Sequence, residues 1–92
     1  MQMLDVRYSS KFNKDYKLIK KRGYNLDKLK EVVALLRDGI KLPPKYKDHA
    51  LSGNYVNFRE CHIEPDWLLI YKIDNNVLIL TVFRTGTHSD LF

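Results

Sequence analysis

The stretch Trp67-Leu68-Leu69-Ile70-Tyr71-Lys72-Ile73-Asp74-Asn75-Asn76-Val77-Leu78-Ile79-Leu80-Thr81-Val82-Phe83-Arg84 decides the architecture. It contains two runs rich in β-branched, aromatic and leucine residues, 67–73 and 77–84, split by Asp74-Asn75-Asn76, whose side chains favour turns. Two such runs across a short turn read as an antiparallel hairpin. Both are apolar at nearly every position rather than at alternate ones, so both faces are expected to be covered. One step upstream, residues 57–64 read as a third strand, joined to the hairpin through Pro65-Asp66, and the three form a meander.

Further upstream the period changes. Leu42-Pro43-Pro44-Lys45-Tyr46 cannot continue a helix, because each proline lacks an amide hydrogen and restricts the residue before it. A long loop is expected from there to about Tyr55. Before it, Leu29, Val32, Val33 and Leu36 form one stripe of a helix over about 26–38, with Asn25 as cap and Gly39 beyond its end. Phe12, Tyr16 and Ile19 form the stripe of an earlier helix over about 11–22, after Ser9-Ser10 and before Gly23. Leu4-Asp5-Val6-Arg7-Tyr8 alternates as a half-buried strand does. The order strand, helix, helix, three strands gives an α+β domain spanning 1–92. The helical hairpin lies on one face of the sheet, strand one joins at an edge, and loop and tail partly cover the other face.

Ninety-two residues support one core and no separate regulatory domain. The apolar runs are far shorter than the roughly 20 residues a membrane span needs, and the amino terminus shows no secretory pattern, so a cytoplasmic protein without a membrane partner is expected. A single cysteine, Cys61, has no partner for an internal disulfide and reads as a small buried residue. The net charge of +5 is unevenly distributed. Residues 1–48 carry thirteen Lys and Arg against six acids, and residues 49–92 carry three against five. The first half either attracts a polyanion or is a solvated surface, and Lys14, Lys17 and Lys21 on one side of helix one share that ambiguity.

All three histidines fall within short charged or aromatic segments. These are the Tyr46-Lys47-Asp48-His49 loop, the His62-Ile63-Glu64-Pro65-Asp66-Trp67 turn and the Arg84-Thr85-Gly86-Thr87-His88 tail, which runs on to Phe92. Together with the Leu69-Ile70-Tyr71-Lys72 strand, and in this order, they resemble the YafQ branch of the RelE/ParE toxin superfamily, small bacterial ribonucleases that cut messenger RNA on the ribosome. The resemblance covers nearly the whole chain. It implies a RelE-like fold and the toxin of a type II toxin-antitoxin pair. It also implies a cognate antitoxin covering the basic surface, a messenger RNA substrate, and ribosomal RNA contacts.

Metal-free RNA cleavage requires a base for the 2′-hydroxyl, an acid for the leaving 5′-oxygen and positive charge for the phosphorane. Histidine suits the first two roles and arginine the third. The catalytic candidates are therefore His49, His62, Asp66, Arg84 and His88, with Arg84 as phosphate clamp and His88 as acid. His49 and His62 would serve as base or position the 2′-hydroxyl, and Asp66 would orient a histidine or act as base. No cofactor or metal is called for. Trp67, Phe92, Tyr46 and Lys47 are the substrate-binding candidates, the aromatics as stacking surfaces. The ordinary alternatives are a satisfied strand histidine at 62, core aromatics at 67 and 92, and an ion pair of Arg84 with Glu60 or Glu64. Glu60 and Glu64 themselves read as solvated or paired. Two other functions compete: a zinc enzyme, disfavoured by the scattered ligand spacing, and a non-catalytic, gyrase-directed binding protein of the same superfamily.

Overall fold

The computed structural model describes residues 3–92; Met1 and Gln2, the first residues of the segment read as lacking a secretory signal, lie outside the described residues. Strand β1 spans Asp5–Tyr8 and leads into α1, Ser10–Lys21. Ser9 caps that helix, its Oγ accepting from the Phe12 amide at 2.9 Å. Asn25 caps α2, Leu26–Arg37, its Oδ1 accepting from the Asp27 amide at 3.1 Å. Both helices bury the stripes that their periodicity sets: Phe12 and Ile19 from α1, and Leu29, Val32, Val33 and Leu36 from α2. Gly39 then turns the chain with φ at +71°, a conformation that costs a residue with a Cβ.

The meander is β3, Arg59–Glu64, β4, Trp67–Asp74, and β5, Ile79–Gly86. With β2, His49–Ala50, they form a five-stranded sheet ordered β1-β5-β4-β3-β2. Its pairs are antiparallel except β1 with β5, which run parallel. The two helices lie against one face, where Leu69, Tyr71, Leu80 and Val82 complete the main core. On the other face Leu68, Ile70 and Leu91 form a smaller cluster, flanked by Leu51, Tyr55, Phe58 and Phe83 from the loop and the strands. Each such apolar side chain taken out of water contributes about 1.5–3 kcal/mol. The two-sided covering expected of the hairpin is thus present, with the second face covered only in part.

Four local features depart from the expected outline. The β4–β5 turn is residues 75–78 rather than Asp74-Asn75-Asn76, because β4 runs on through Asp74, Leu78 takes φ of +56° and β5 starts at Ile79. The long loop contains two short 3₁₀ turns, Pro44–Tyr46 and Gly53–Tyr55, and the two-residue β2. β3 starts at Arg59 rather than at Asn57. The tail closes in a short helix α3, His88–Leu91.

Candidate active site

Strand register places the titratable residues in rows. His49 lies opposite Glu60, Glu60 opposite Ile70, and Ile70 opposite Arg84. Residues directly opposite on neighbouring strands share a face, so His49, Glu60 and Arg84 lie in one row across the open side of the sheet. In the next row His62 faces Leu68, and Leu68 faces Gly86. Two inter-strand steps separate Glu60 from Arg84, about 10 Å. Leu68 and Ile70, with Leu91 packed on them, are the apolar floor between the two sides.

On one side, His49 and His62 share a carboxylate. Their Nε2 atoms lie 3.6 Å and 3.5 Å from Oε1 of Glu60, which is only 7% exposed. Each Nδ1 meets a backbone carbonyl instead, that of Lys47 at 2.8 Å for His49 and that of Pro65 at 3.2 Å for His62. A carbonyl only accepts, so each Nδ1 carries hydrogen and Nε2 is the nitrogen turned toward Glu60. The loop that presents His49 is tied down by the neighbouring Asp48. Its carboxylate accepts from the Tyr71 hydroxyl and from Nη2 of Arg59 at 2.9 Å, and burial together with that bond pushes the Tyr71 pKa up. Glu60 is the residue that sequence reasoning set aside. The signal that could have found it is its spacing of two from His62, which puts both on the same face of a strand.

The other side is the tail. Beyond Val82, β5 has no β1 neighbour and α1 takes over that edge: the Ser9 hydroxyl donates to the Phe83 carbonyl, and Asp15 Oδ2 accepts from the Thr85 amide at 3.1 Å. Asp15 also binds the Arg84 guanidinium, Nε to Oδ2 at 2.7 Å and Nη2 to Oδ1 at 3.0 Å. Arg84 therefore pairs with a helix carboxylate, not with Glu60 or Glu64 as the strand-pairing alternative had it. Asp66 reaches His88 through the backbone, its Oδ1 accepting from the His88 amide at 3.2 Å. It therefore orients the tail that carries the ring rather than the ring itself.

Thr87 and Asp90 form a reciprocal capping box at the start of α3, and Arg22 binds Asp90 with Nη1 to Oδ2 at 2.6 Å. Gly86, φ +152°, leaves no room for a Cβ, which would meet Asp90 Oδ2 at 2.9 Å. The Arg22 bond, followed by the Thr87 amide, holds the Asp90 carboxyl well below the ordinary carboxylate range. A depressed folded-state pKa contributes stability that is present above the unfolded pKa and is lost as pH falls through the folded one. Acidification below the usual carboxylate range is thus expected to loosen α3 before the core unfolds. Amide exchange at Leu91 and Phe92 that outpaces exchange in β4 with falling pH is the check.

Residues 4–92 match the family described as "Bacterial toxin of type II toxin-antitoxin system, YafQ". The chain belongs to the YafQ toxin family. It is 45% identical over 89 residues to the mRNA interferase toxin YafQ of Escherichia coli K12, covering 96% of this chain and 95% of that protein. The crystal structure of the E. coli DinJ-YafQ toxin-antitoxin complex matches with a TM-score of 0.90 at 44% identity, over 98% of both chains. A metal-bound toxin from Helicobacter pylori matches with a TM-score of 0.92 at 47% identity, over 98% of this chain and 100% of that one.

His49, Glu60 and His62 of this YafQ-family toxin are donor types that a transition metal accepts. Among the described residues, however, no group of three or more His, Cys, Asp or Glu is placed to hold an ion. Of the aromatic candidates, Phe92 is 57% exposed and stands beside the site, its ring 5.0 Å from His88 and 5.4 Å from Tyr55. Lys47 is exposed on the loop, in the left-handed conformation at φ +49°.

Trp67 and Tyr46 are not available as stacking surfaces. Trp67 is 1% exposed in the helix-side core of the YafQ-family fold, edge-on to Tyr24 at 4.9 Å, with its indole N–H donating to Thr85 Oγ1 at 2.9 Å. Tyr46 is 7% exposed in the same core, with Lys45 Nζ over its ring at 5.0 Å. Both follow polar loop residues, which made them look presented, but tertiary packing turns them inward. Cys61 is fully buried and burial pushes its thiol pKa up, in keeping with a packing role.

Proposed function

We propose that this chain is a type II toxin that cleaves messenger RNA endonucleolytically, in the cytoplasm and on the ribosome, by attack of the ribose 2′-hydroxyl on the adjacent phosphorus. The observation that carries the reading is the open face of the sheet: two histidines whose Nε2 atoms face the Glu60 carboxylate on one side, an arginine and a third histidine on the other, and an apolar floor between them. The curated relative's name as an mRNA interferase supports it.

Nε2 of His49 or His62 takes the 2′-hydroxyl proton, and the freed oxygen forms the new bond to phosphorus. Arg84 stabilises the negative charge on the phosphorane with Nη1, which takes no hydrogen bond among the described residues. His88, whose ring takes no side-chain hydrogen bond among the described residues, gives its proton to the 5′-oxygen as that bond breaks. The products are a 2′,3′-cyclic phosphate and a 5′-hydroxyl end. Phe92 stacks on a base next to the scissile phosphate. The basic excess of residues 1–48 supports contacts with ribosomal RNA, and a cognate antitoxin that covers this surface is the expected partner, by analogy with the DinJ-YafQ complex.

Primer extension on a reporter messenger after brief induction tests the reading. Discrete cuts in the coding frame that vanish under a translation block are expected. Cuts that survive the block mean a free ribonuclease with the same site. Arrested growth without cuts overturns catalysis and favours an inhibitory binding protein.

Chelator separates the metal question in vitro. On programmed ribosomes whose Mg²⁺ is maintained, a transition-metal chelator is expected to leave the cleavage rate unchanged. Loss of cleavage restored by added metal would replace the metal-free scheme.

A further inference from the structure

We infer that Asp15 is a positioning residue for Arg84, holding the guanidinium by its Nε and Nη2 so that Nη1 is presented to the scissile phosphate. The inference rests on the clamp role proposed above. Nothing in the position of Asp15 along α1, between Lys14 and Tyr16, marks it in the sequence. In the structure its carboxylate makes three bonds, two to the Arg84 side chain at 2.7 and 3.0 Å and one to the Thr85 amide at 3.1 Å.

The Thr85 amide alone would be satisfied by any single acceptor. The second oxygen serves only the guanidinium, and the paired, parallel geometry fixes the plane of the fork as a single contact would not. The pair is also shielded, with the two side chains 21% and 12% exposed. An arginine on a strand facing solvent would otherwise sample many rotamers and lose that freedom each time it met a phosphate. Here the rotamer is set before substrate arrives, which is what electrostatic stabilisation of a transient charge requires. The bond to Asp15 raises the Arg84 pKa further, so the clamp stays cationic. Glu60, in the same row but two strands from Arg84, cannot substitute, because it is engaged with His49 and His62.

The alternative roles of Asp15 are a purely structural tie between α1 and β5, and a competitor that occupies the fork in place of phosphate. A double-mutant cycle separates the three. Single-turnover cleavage on messenger-programmed ribosomes and thermal unfolding are measured for wild type, Asp15→Ala, Arg84→Ala and the double variant, with Asp15→Asn as the milder change that keeps one acceptor. Asp15→Ala is expected to lower kcat by about 10-fold or more with KM little changed, as misplacement of a catalytic group does. In the Arg84→Ala background it should cause no further loss of rate, while the part of the Tm fall that comes from the Thr85 amide contact persists in both backgrounds. Asp15→Asn should fall between wild type and Asp15→Ala in rate. In nitrogen-15 spectra the Arg84 Nε–H signal should be protected from solvent exchange in wild type and lose that protection in Asp15→Ala.

Losses that multiply in the double variant would overturn the inference in favour of a structural tie. Faster cleavage in Asp15→Ala would overturn it in favour of a competitor. Full activity in Arg84→Ala would remove the clamp role itself, a result distinct from an inert Asp15 beside an essential Arg84.

Discussion

Replacing His88 with alanine is expected to slow messenger cleavage by about 10²–10⁴-fold, the usual worth of a positioned general acid. Arg84→Ala should cost about 10²–10³-fold, as loss of a donor to a developing oxyanion does. Both side chains belong to the tail face, and neither is part of the core, so both variants should fold. Arg84→Ala leaves the Asp15 carboxylate with only the Thr85 amide, so a small fall in Tm is expected there and almost none for His88→Ala. The decisive quantity is the rate per folded molecule on programmed ribosomes. Binding measured by co-sedimentation should change little for His88→Ala, because a general acid acts in the transition state. A folded double variant that cuts at the wild-type rate would remove both residues from the mechanism.

Trp67→Ala should produce the largest loss of stability, about 3–5 kcal/mol, a large fraction of what a domain of this size has. The indole fills the space between Tyr24 and the sheet, and its N–H satisfies Thr85 Oγ1, which in turn donates to the Leu68 carbonyl at 2.8 Å. Trp67→Phe keeps one aromatic ring but loses the fused pyrrole ring with its N–H, so an intermediate cost of about 2 kcal/mol is expected. Urea unfolding of the two variants, paired with cleavage rates normalised to folded protein, distinguishes a core residue from a base-stacking one. A core residue shifts the midpoint and leaves the normalised rate of Trp67→Phe near wild type. A stacking residue would show an unchanged midpoint and a reduced rate, which would return Trp67 to the substrate site.

How much of this could be read along the chain varied with the length of the signal. The helical stripes and the β3–β4–β5 meander rest on repeated apolar positions, and each appears with its buried residues where the period puts them. β2 is only two residues long and has no period to read, so its pairing with Glu60 and Arg59, which brings His49 into the row, was hidden. α3 is four residues long, and its one local signal is the spacing of Thr87 and Asp90 that closes as a capping box. Asp15 and Glu60 escaped notice for a different reason. Their partners lie 69 residues away in the first case and on a separate strand in the second, and a carboxylate on a polar helix face or in an alternating strand reads as solvated until the fold brings its partners up. The aromatics failed in the opposite sense, since Tyr46 and Trp67 border polar loop residues yet pack inward.

The parallel pairing of β1 with β5 has a consequence for how the protein comes into being. The bonds that build the tail side of the face join residues 68 to 74 positions apart, from Ser9 to Phe83, Asp15 to Arg84 and Arg22 to Asp90. While the chain is being synthesised, α1 and α2 can pair with each other long before any of these partners exists. Such distant contacts also close slowly after release, since a large loop must be ordered before they form. A growing chain therefore lacks the Asp15–Arg84 pair, the His88 tail and the Leu91 that packs on Leu68 and Ile70. A ribosome making this toxin finishes reading β5 before its product could turn on a message, its own included.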